Sequence, residues 1–175
     1  VRINDKGNTG TGGSLETVLG TANVNISAVN DNPTNSGSFR ATVTVTEDVV
    51  SDVDLSAITI ADVDVATGNL EVTVTSSTGN LTAVDADGVV VTGSVSERIL
   101  TGTLSELNTF LDNPARIQYK HPTANTNGSG GTIVVKVNDK GNTGTGGGGD
   151  VTLGTATVSI TAVNDAPSST GTFPP

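Results

Sequence analysis

Residues 1–13 read VRINDKGNTGTGG, and residues 135–147 read VKVNDKGNTGTGG. Further along, LGTANVNISAVNDNP at 19–33 returns as LGTATVSITAVNDAP at 153–167. Over residues 1–39 the offset stays at 134 without a gap, and 24 of the 39 pairs are identical. Self-similarity at a fixed spacing indicates a tandem array. Because the period is the length of a small domain, we expect one full repeat preceded by the tail of its neighbour.

The domain boundaries are placed at two Asn-Asp-x-Pro segments, 30–33 and 164–167, which each follow a long predicted strand. Proline there ends the strand and stiffens the joint. Residues 1–33 are then the C-terminal hairpin of a preceding repeat, 34–167 a complete repeat, and 168–175 the start of the next. An alternative register, in which 1–33 complete a fold with 38–134, stays open. The two similar hairpins also compete for one groove, which favours self-association by strand exchange.

The composition is typical of a β protein, with abundant Val and Thr, 22 Gly, three Phe, one Tyr and no Cys. Such a core is built from aliphatic side chains, and disulfides are excluded. Eighteen acidic residues against eight basic ones give a net charge of −10, which argues against nucleic acid or an anionic membrane as partner. No apolar run approaches the roughly 20 residues of a membrane span, so membrane insertion is not expected.

Apolar and polar residues alternate in six segments, which predicts half-buried strands at 41–46, 55–60, 70–75, 89–92, 133–137 and 156–163. Thr103 and Glu106 have the spacing of a capping box, and an apolar stripe follows. This predicts one helix at about 104–111, ended by Pro114. Short strands with frequent turns favour an all-β, antiparallel sandwich in which the helix is a crossover between sheets.

A family resemblance is carried by AVNDNP (28–33) and AVNDAP (162–167), which resemble the interdomain linker of cadherins. The wider pattern is similar to the cadherin-like and immunoglobulin-like tandem repeats of large bacterial surface adhesins, RTX-type proteins exported by type I secretion. One departure is Gly130-Gly131 after Ser129, where such repeats often have Asp. The segments that carry the match are SELNTFLDN (105–113), IQYKHP (117–122), residues 125–128, VKVNDKGNTG (135–144) and TVSITAVNDAP (157–167).

The resemblance implies an extracellular position on a bacterial surface, neighbouring repeats as partners, and Ca²⁺. Strand direction gives an independent test of the calcium sites. We call residues 30–33 the upper linker and residues 164–167 the lower linker. If the strand at 39–46 runs away from the upper linker and the strand at 55–60 returns toward it, one group of acidic residues lies at each end of the domain. Oxygen ligands of this kind suit Ca²⁺; the alternative is that they are turn formers. The predicted metal ligands are Asn30, Asp31, Asn32, Asp62 and Asp64 above, and Glu47, Asp48, Asn164 and Asp165 below.

Two further acidic segments are interpreted as turns. Asp85-Ala86-Asp87-Gly88 lies between apolar strands, where Asp-Gly favours a tight hairpin, with a further ion site as the alternative. Asp139 and Asn142 also fall at the upper end and could contact an ion, but a hairpin turn explains them more simply.

The sequence offers no catalytic constellation, so we expect no enzyme. The GxGxxG run at 144–149 has strands on both sides and no helix to hold phosphate, and the chain has one His and no Cys. The favoured hypothesis is a calcium-stiffened extender repeat of an extracellular adhesin, serving cell adhesion and biofilm formation. The alternatives are a carbohydrate-binding cadherin-like module, with polysaccharide as partner, and a homophilic adhesion domain. Four aromatic residues leave little for a sugar platform.

Overall fold

The computed structural model describes residues 1–8, 10–167 and 171. One helix, α1, covers Leu104–Leu111. The strands are β1 (Arg2–Asn4), β2 (Glu16–Val18), β3 (Thr34–Asn35), β4 (Thr42–Thr46), β5 (Ser51–Asp52), β6 (Ile60–Ala61), β7 (Asn69–Ser76), β8 (Asn80–Thr82), β9 (Val90–Ser94), β10 (Glu97–Thr103), β11 (Gln118–Lys120), β12 (Gly128–Asn138) and β13 (Val151–Thr161).

The main sheet has six strands in the order β4-β13-β12-β7-β10-β9. A three-stranded sheet, β5-β11-β8, and the pairs β3-β6 and β1-β2 complete the fold. The all-β class with one short helix is therefore confirmed. The expectation of a purely antiparallel sandwich is wrong at one place, because β13 and β4 run parallel, from Thr157 beside Thr42 to Thr161 beside Thr46. These two strands are far apart in sequence, so no hairpin forces them to be antiparallel.

The core is aliphatic, as the composition predicts. The buried hydrophobic residues of the described chain lie between Val43 and Ile160 and form a single cluster. Side chains of the main sheet pack there against α1 and the three-stranded sheet, which makes the fold sandwich-like. β7 shows the alternation most clearly, with Leu70, Val72 and Val74 fully buried. Each such side chain contributes roughly 1.5–3 kcal/mol by leaving water.

The helix begins where the capping box places it. The Thr103 hydroxyl accepts a hydrogen bond from the Glu106 N–H at 3.4 Å, and the Glu106 carboxylate accepts one from the Thr103 N–H at 2.8 Å. That second bond lowers the pKa of Glu106. α1 then buries Leu107, Phe110 and Leu111, and it ends before Pro114.

The strand predicted at 55–60 is wrong, since only its last residue, Ile60, belongs to a strand. Asp54 accepts hydrogen bonds from the N–H and hydroxyl of Ser56, at 3.0 and 2.6 Å, and a turn closes with Ile58 donating to the Leu55 carbonyl at 2.9 Å. Leu55, Ile58 and Ile60 are all buried. The apparent alternation thus comes from a turn that directs its apolar side chains inward.

Residues 1–29 contribute no buried side chain among those described. β1 and β2 form a hairpin, residues 20–28 belong to no strand, and Val29 forms an isolated bridge with Thr145. Phe39 is half-buried against the cluster, and the equivalent Phe173 lies outside the described residues.

Gly79 provides a test of the core. A Cβ placed on it would lie 2.0 Å from Cε2 of Tyr119, whose ring is fully buried and whose hydroxyl donates to the Gly130 carbonyl at 3.0 Å. We expect Gly79→Ala to lower the free energy of unfolding by about 1–3 kcal/mol, because the ring cannot move away. Urea unfolding measures this. Gly149→Ala is the control, since nothing lies within 4 Å of a Cβ there; equal stability of the two variants would contradict the packing described.

Candidate metal centres at the two ends of the sandwich

β13 defines the two ends of the domain. It starts at Val151 beside Val137, at the end of β12, and it finishes at Thr161 beside Thr46, at the end of β4. At about 3.3 Å per residue its eleven residues span roughly 33 Å. One carboxylate cluster lies at each end. We call them the upper cluster, made of Asp62, Asp64 and Asp139, and the lower cluster, made of Glu47, Asp48 and Asp165.

The upper cluster joins two loops. Asp62 and Asp64 follow β6, Asp139 follows β12, and one carboxylate oxygen from each lies within 4.8 Å of the others. Oδ1 of Asp62 accepts the N–H groups of Asp64 and Val65, both at 3.1 Å. Oδ2 of Asp62 and Oδ1 of Asp64 are buried and have no hydrogen-bond partner. The cluster therefore holds two buried carboxylate oxygens that accept no hydrogen bond from the described chain.

The upper linker is tied to this cluster. The side-chain amide of Asn30 donates to Oδ2 of Asp139 at 2.6 Å, and the main-chain N–H of Asp31 donates to Oδ2 of Asp64 at 3.0 Å. Thr143, in the loop after Asp139, donates its hydroxyl to the Asp64 carbonyl at 2.5 Å. These bonds fix the linker, the β6–β7 connection and the β12–β13 loop against one another.

The neighbouring carboxyls of Asp62 and Asp64 titrate in opposite directions. Burial raises the pKa of Asp62, and the adjacent Asp64 charge raises it further. The Asp31 N–H lowers the pKa of Asp64, with help from Asp62 and Thr143. The two carboxyls thus lie close enough for the charge of one to affect the other.

The lower cluster is built around a buried glutamate. Glu47 is 3% exposed, and its Oε1 accepts the Val163 N–H at 2.6 Å while Oε2 is buried without a partner. Asp48 follows in the left-handed region, with φ of 62°. The exposed carboxylates of Asp48 and Asp165 approach Glu47 within the same 4.8 Å. The end of β4 and the lower linker thus come together at the lower cluster.

The structure brings most of the predicted ligands together. Asn30 and Asp31 contact the upper cluster through hydrogen bonds, although the Asp31 carboxylate is not one of its three members. Asn32 lines an open groove of about 370 Å³ with Asp31 and Asp62. Asn164 is exposed, between Val163 and Asp165 of the lower linker.

Asp139 is the residue that sequence reasoning left out of the metal set. The turn interpretation accounts for one oxygen of Asp139, because Oδ1 accepts a hydrogen bond from the Gly141 N–H at 2.9 Å. Oδ2 accepts the Asn30 amide, one carboxylate oxygen lies within 4.8 Å of those of Asp62 and Asp64, and the side chain is fully buried. The available signal was its position directly after a strand that ends at the same edge as Asp62.

Asp87 has a different role, as the hairpin interpretation predicts. Asp87 and Gly88 have φ of 53° and 84°, and Ala86 and Val89 exchange hydrogen bonds of 3.3 and 2.8 Å across them. The Asp87 carboxylate accepts two hydrogen bonds from Arg116, at 2.9 and 3.1 Å. This arrangement is a tight hairpin turn with a paired charge.

Comparison of the chain with protein family models, with curated proteins and with solved structures gave no match. Among the described residues, no helix has both the length and the apolar character needed to cross a membrane. The two carboxylate clusters are therefore the features on which a functional proposal rests.

Asp62→Asn tests the repulsion between the neighbouring carboxylates of the upper cluster. In excess EDTA we expect this variant to unfold at a higher temperature than the parent protein. The amide keeps the Oδ1 acceptor for Asp64 and Val65 and removes one of two neighbouring negative charges, which lie within 4.8 Å of each other and repel. Thermal melting measures the change. Asp52→Asn, at an acid outside both clusters, is the control, and equal shifts in the two variants would contradict the charge argument.

Proposed function

We propose that this chain is a structural repeat of an extracellular bacterial adhesin, stiffened by Ca²⁺ at its junctions. The array would hold a distal binding region away from the cell surface. The resemblance of the linkers supports the cadherin-like or immunoglobulin-like assignment and the location. The two clusters support the metal.

The observation that carries the proposal is a set of three buried oxygens, Glu47 Oε2, Asp62 Oδ2 and Asp64 Oδ1. They are the buried side-chain oxygens that have no hydrogen-bond partner in the described chain, and all three belong to the two clusters. An oxygen that is buried without a hydrogen bond is destabilising, and a bound cation would offset that cost.

The chemistry of the donors favours Ca²⁺ over transition metals. Both clusters offer carboxylate oxygens, and neither contains Cys or His. Hard oxygen donors from flexible loops suit Ca²⁺, which takes six to eight ligands, whereas Zn²⁺ prefers nitrogen and sulfur. Asp62, Asp64 and Asp139 would hold one ion, and Glu47, Asp48 and Asp165 another.

The repeat joins the two clusters into one junction. Asp31 and Asp165 are the same position of the repeat, 134 residues apart. Asp31 holds the upper cluster through its N–H, and Asp165 belongs to the lower cluster. In a tandem array a single linker would therefore connect the lower cluster of one repeat with the upper cluster of the next. Ions at that point would restrict the angle between repeats.

Carbohydrate binding has less support. Sugar recognition commonly uses an exposed aromatic platform, but Phe110 and Tyr119 are fully buried and Phe39 is half-buried. The described residues offer no exposed aromatic ring, so the extender function is the better conclusion.

Calcium titration tests the ion sites. At a free Ca²⁺ concentration ten times the dissociation constant, each bound ion is expected to add about 1.4 kcal/mol to the free energy of unfolding. This raises the melting temperature by roughly 3–6 °C. For extracellular modules the dissociation constant is typically about 10⁻⁴–10⁻³ M. Glu47→Gln should lose the part of this gain that comes from the lower cluster, while Glu97→Gln, outside both clusters, should keep all of it. A melting curve that is the same in millimolar Ca²⁺ and in excess EGTA would refute the proposal.

A chain of two tandem repeats tests the stiffening. We expect small-angle scattering to give a longer maximum dimension and a narrower distribution in Ca²⁺ than in EGTA, because the junction ions restrict bending. Asp165→Asn at the central linker should remove the difference. If the scattering profiles coincide while melting still responds to Ca²⁺, the ions stabilise the domain but do not stiffen the joint.

A further inference from the structure

We infer that the β12–β13 loop, residues 139–150, is the docking site for the last strand of the preceding repeat. The part of that strand which docks is residues 28–30, equivalent to residues 162–164, and we call it the strand end. The inference rests on the tandem array of the proposed function. It does not depend on the metal, because the contact is made of main-chain and side-chain hydrogen bonds.

The loop binds the strand end as a neighbouring strand would. The Asn30 N–H donates to the Thr145 carbonyl at 3.2 Å, and the Thr145 N–H donates to the Ala28 carbonyl at 3.1 Å. These two bonds make Val29 and Thr145 a parallel bridge. The Asn30 side chain reinforces the bridge, because its Oδ1 accepts the Thr143 N–H at 3.4 Å and the residue is only 7% exposed. The contact therefore has a defined register.

Two glycines of the loop make room for the strand end. A Cβ on Gly144 would lie 2.7 Å from the carbonyl carbon of Val29, and a Cβ on Gly147 would overlap Nδ2 of Asn30. Gly144 has φ of 98°, and Gly146, with φ of 93°, has nothing within 4 Å of a Cβ. The positive φ is thus shared along the loop, whereas the lack of space for a side chain is confined to the glycines that face the strand end.

The opposite edge of the strand end serves its own repeat. In the complete repeat the Val163 N–H donates to Oε1 of Glu47 at 2.6 Å, and the Glu47 N–H donates to the Thr161 carbonyl at 3.1 Å. Successive residues of a strand direct their N–H and C=O groups to opposite edges. Residues 161 and 163 therefore face β4 and Glu47, whereas residues 162 and 164 face the other edge.

The two contacts use different main-chain groups. The loop binds the carbonyl of Ala28 and the N–H of Asn30. Their equivalents in the complete repeat are Ala162 and Asn164, on the edge away from Glu47. β12 pairs with β13 only as far as Ile160, so it does not cover this edge. One strand end can therefore bind its own repeat on one edge and the loop of the next repeat on the other.

The experiment completes the preceding repeat and asks whether the contact persists. Because residues 1–33 are equivalent to the end of the complete repeat, adding residues 34–134 in front of residue 1 gives an extended chain of two whole repeats. Val29→Cys and Thr145→Cys are introduced once, at the original positions, in the extended chain and in the full-length chain. Bridged residues lie about 4.8 Å apart, within reach of a disulfide. Since the parent has no Cys, an intramolecular disulfide reports this contact alone.

In excess EGTA we expect the disulfide to form in both chains at similar rates. Gly144→Ala should slow its formation about fivefold or more, because the added Cβ would meet the main chain of Val29. Gly146→Ala is the matched control, since it places Ala at a similar positive φ in the same loop without that contact. Electrophoresis of timed samples without reducing agent measures the rate, and thermal melting checks that each variant is folded.

Absence of the disulfide from the extended chain would overturn the inference, even if it forms in the full-length chain, because the completed repeat then keeps the strand end away from the loop. Equal rates for Gly144→Ala and Gly146→Ala would overturn it as well. The outcome is separate from that of the calcium proposal, since the disulfide is measured without metal. A formed disulfide beside a melting curve that ignores Ca²⁺ would refute the ions and support the docking.

Discussion

β13 pairs with β12 over most of its length and with β4 over its last residues, Thr157 to Thr161, and it buries Ala156, Val158 and Ile160 in the core. The chain enters β13 at the upper cluster and leaves it at the lower one. The length of this strand therefore separates the two clusters, and each cluster contacts one linker. The packing of one apolar strand thus determines how far apart the two carboxylate clusters lie.

The two copies of the repeat show which features are local. The β12–β13 loop begins with the same turn in both copies, with φ of 57° at Lys6 and 60° at Lys140, and each copy has a salt bridge across its hairpin, Arg2–Glu16 and Lys136–Asp150. The capping box and the Asp87-Gly88 turn are local in the same sense. These elements could be predicted because the residues that determine them are neighbours in sequence.

Features that depend on distant residues were not predictable in this way. The turn at 55–60 resembles a strand in sequence because its apolar residues all face a core that other segments supply. β10 was missed although it is a central strand, since it begins with Glu97 and Arg98, and the Arg98 guanidinium is satisfied by the distant Leu81 carbonyl. For the candidate sites, Asp62 could be grouped with Asp64, and Glu47 with Asp48, because the members of each pair are neighbours in sequence. Placing Asp139 required the three-dimensional contact between two loops.

The parallel contact between β4 and β13 has a mechanical consequence. Tension applied through the linkers would pull β4 toward the upper end, where Asn30 is anchored, and β13 toward the lower end, where Asp165 follows. The hydrogen bonds between these two strands would then carry the force together, in shear. They would not break one after another, as they do when two strands are unzipped from one end. A domain connected in this way resists force along the same axis on which its neighbours would be strung.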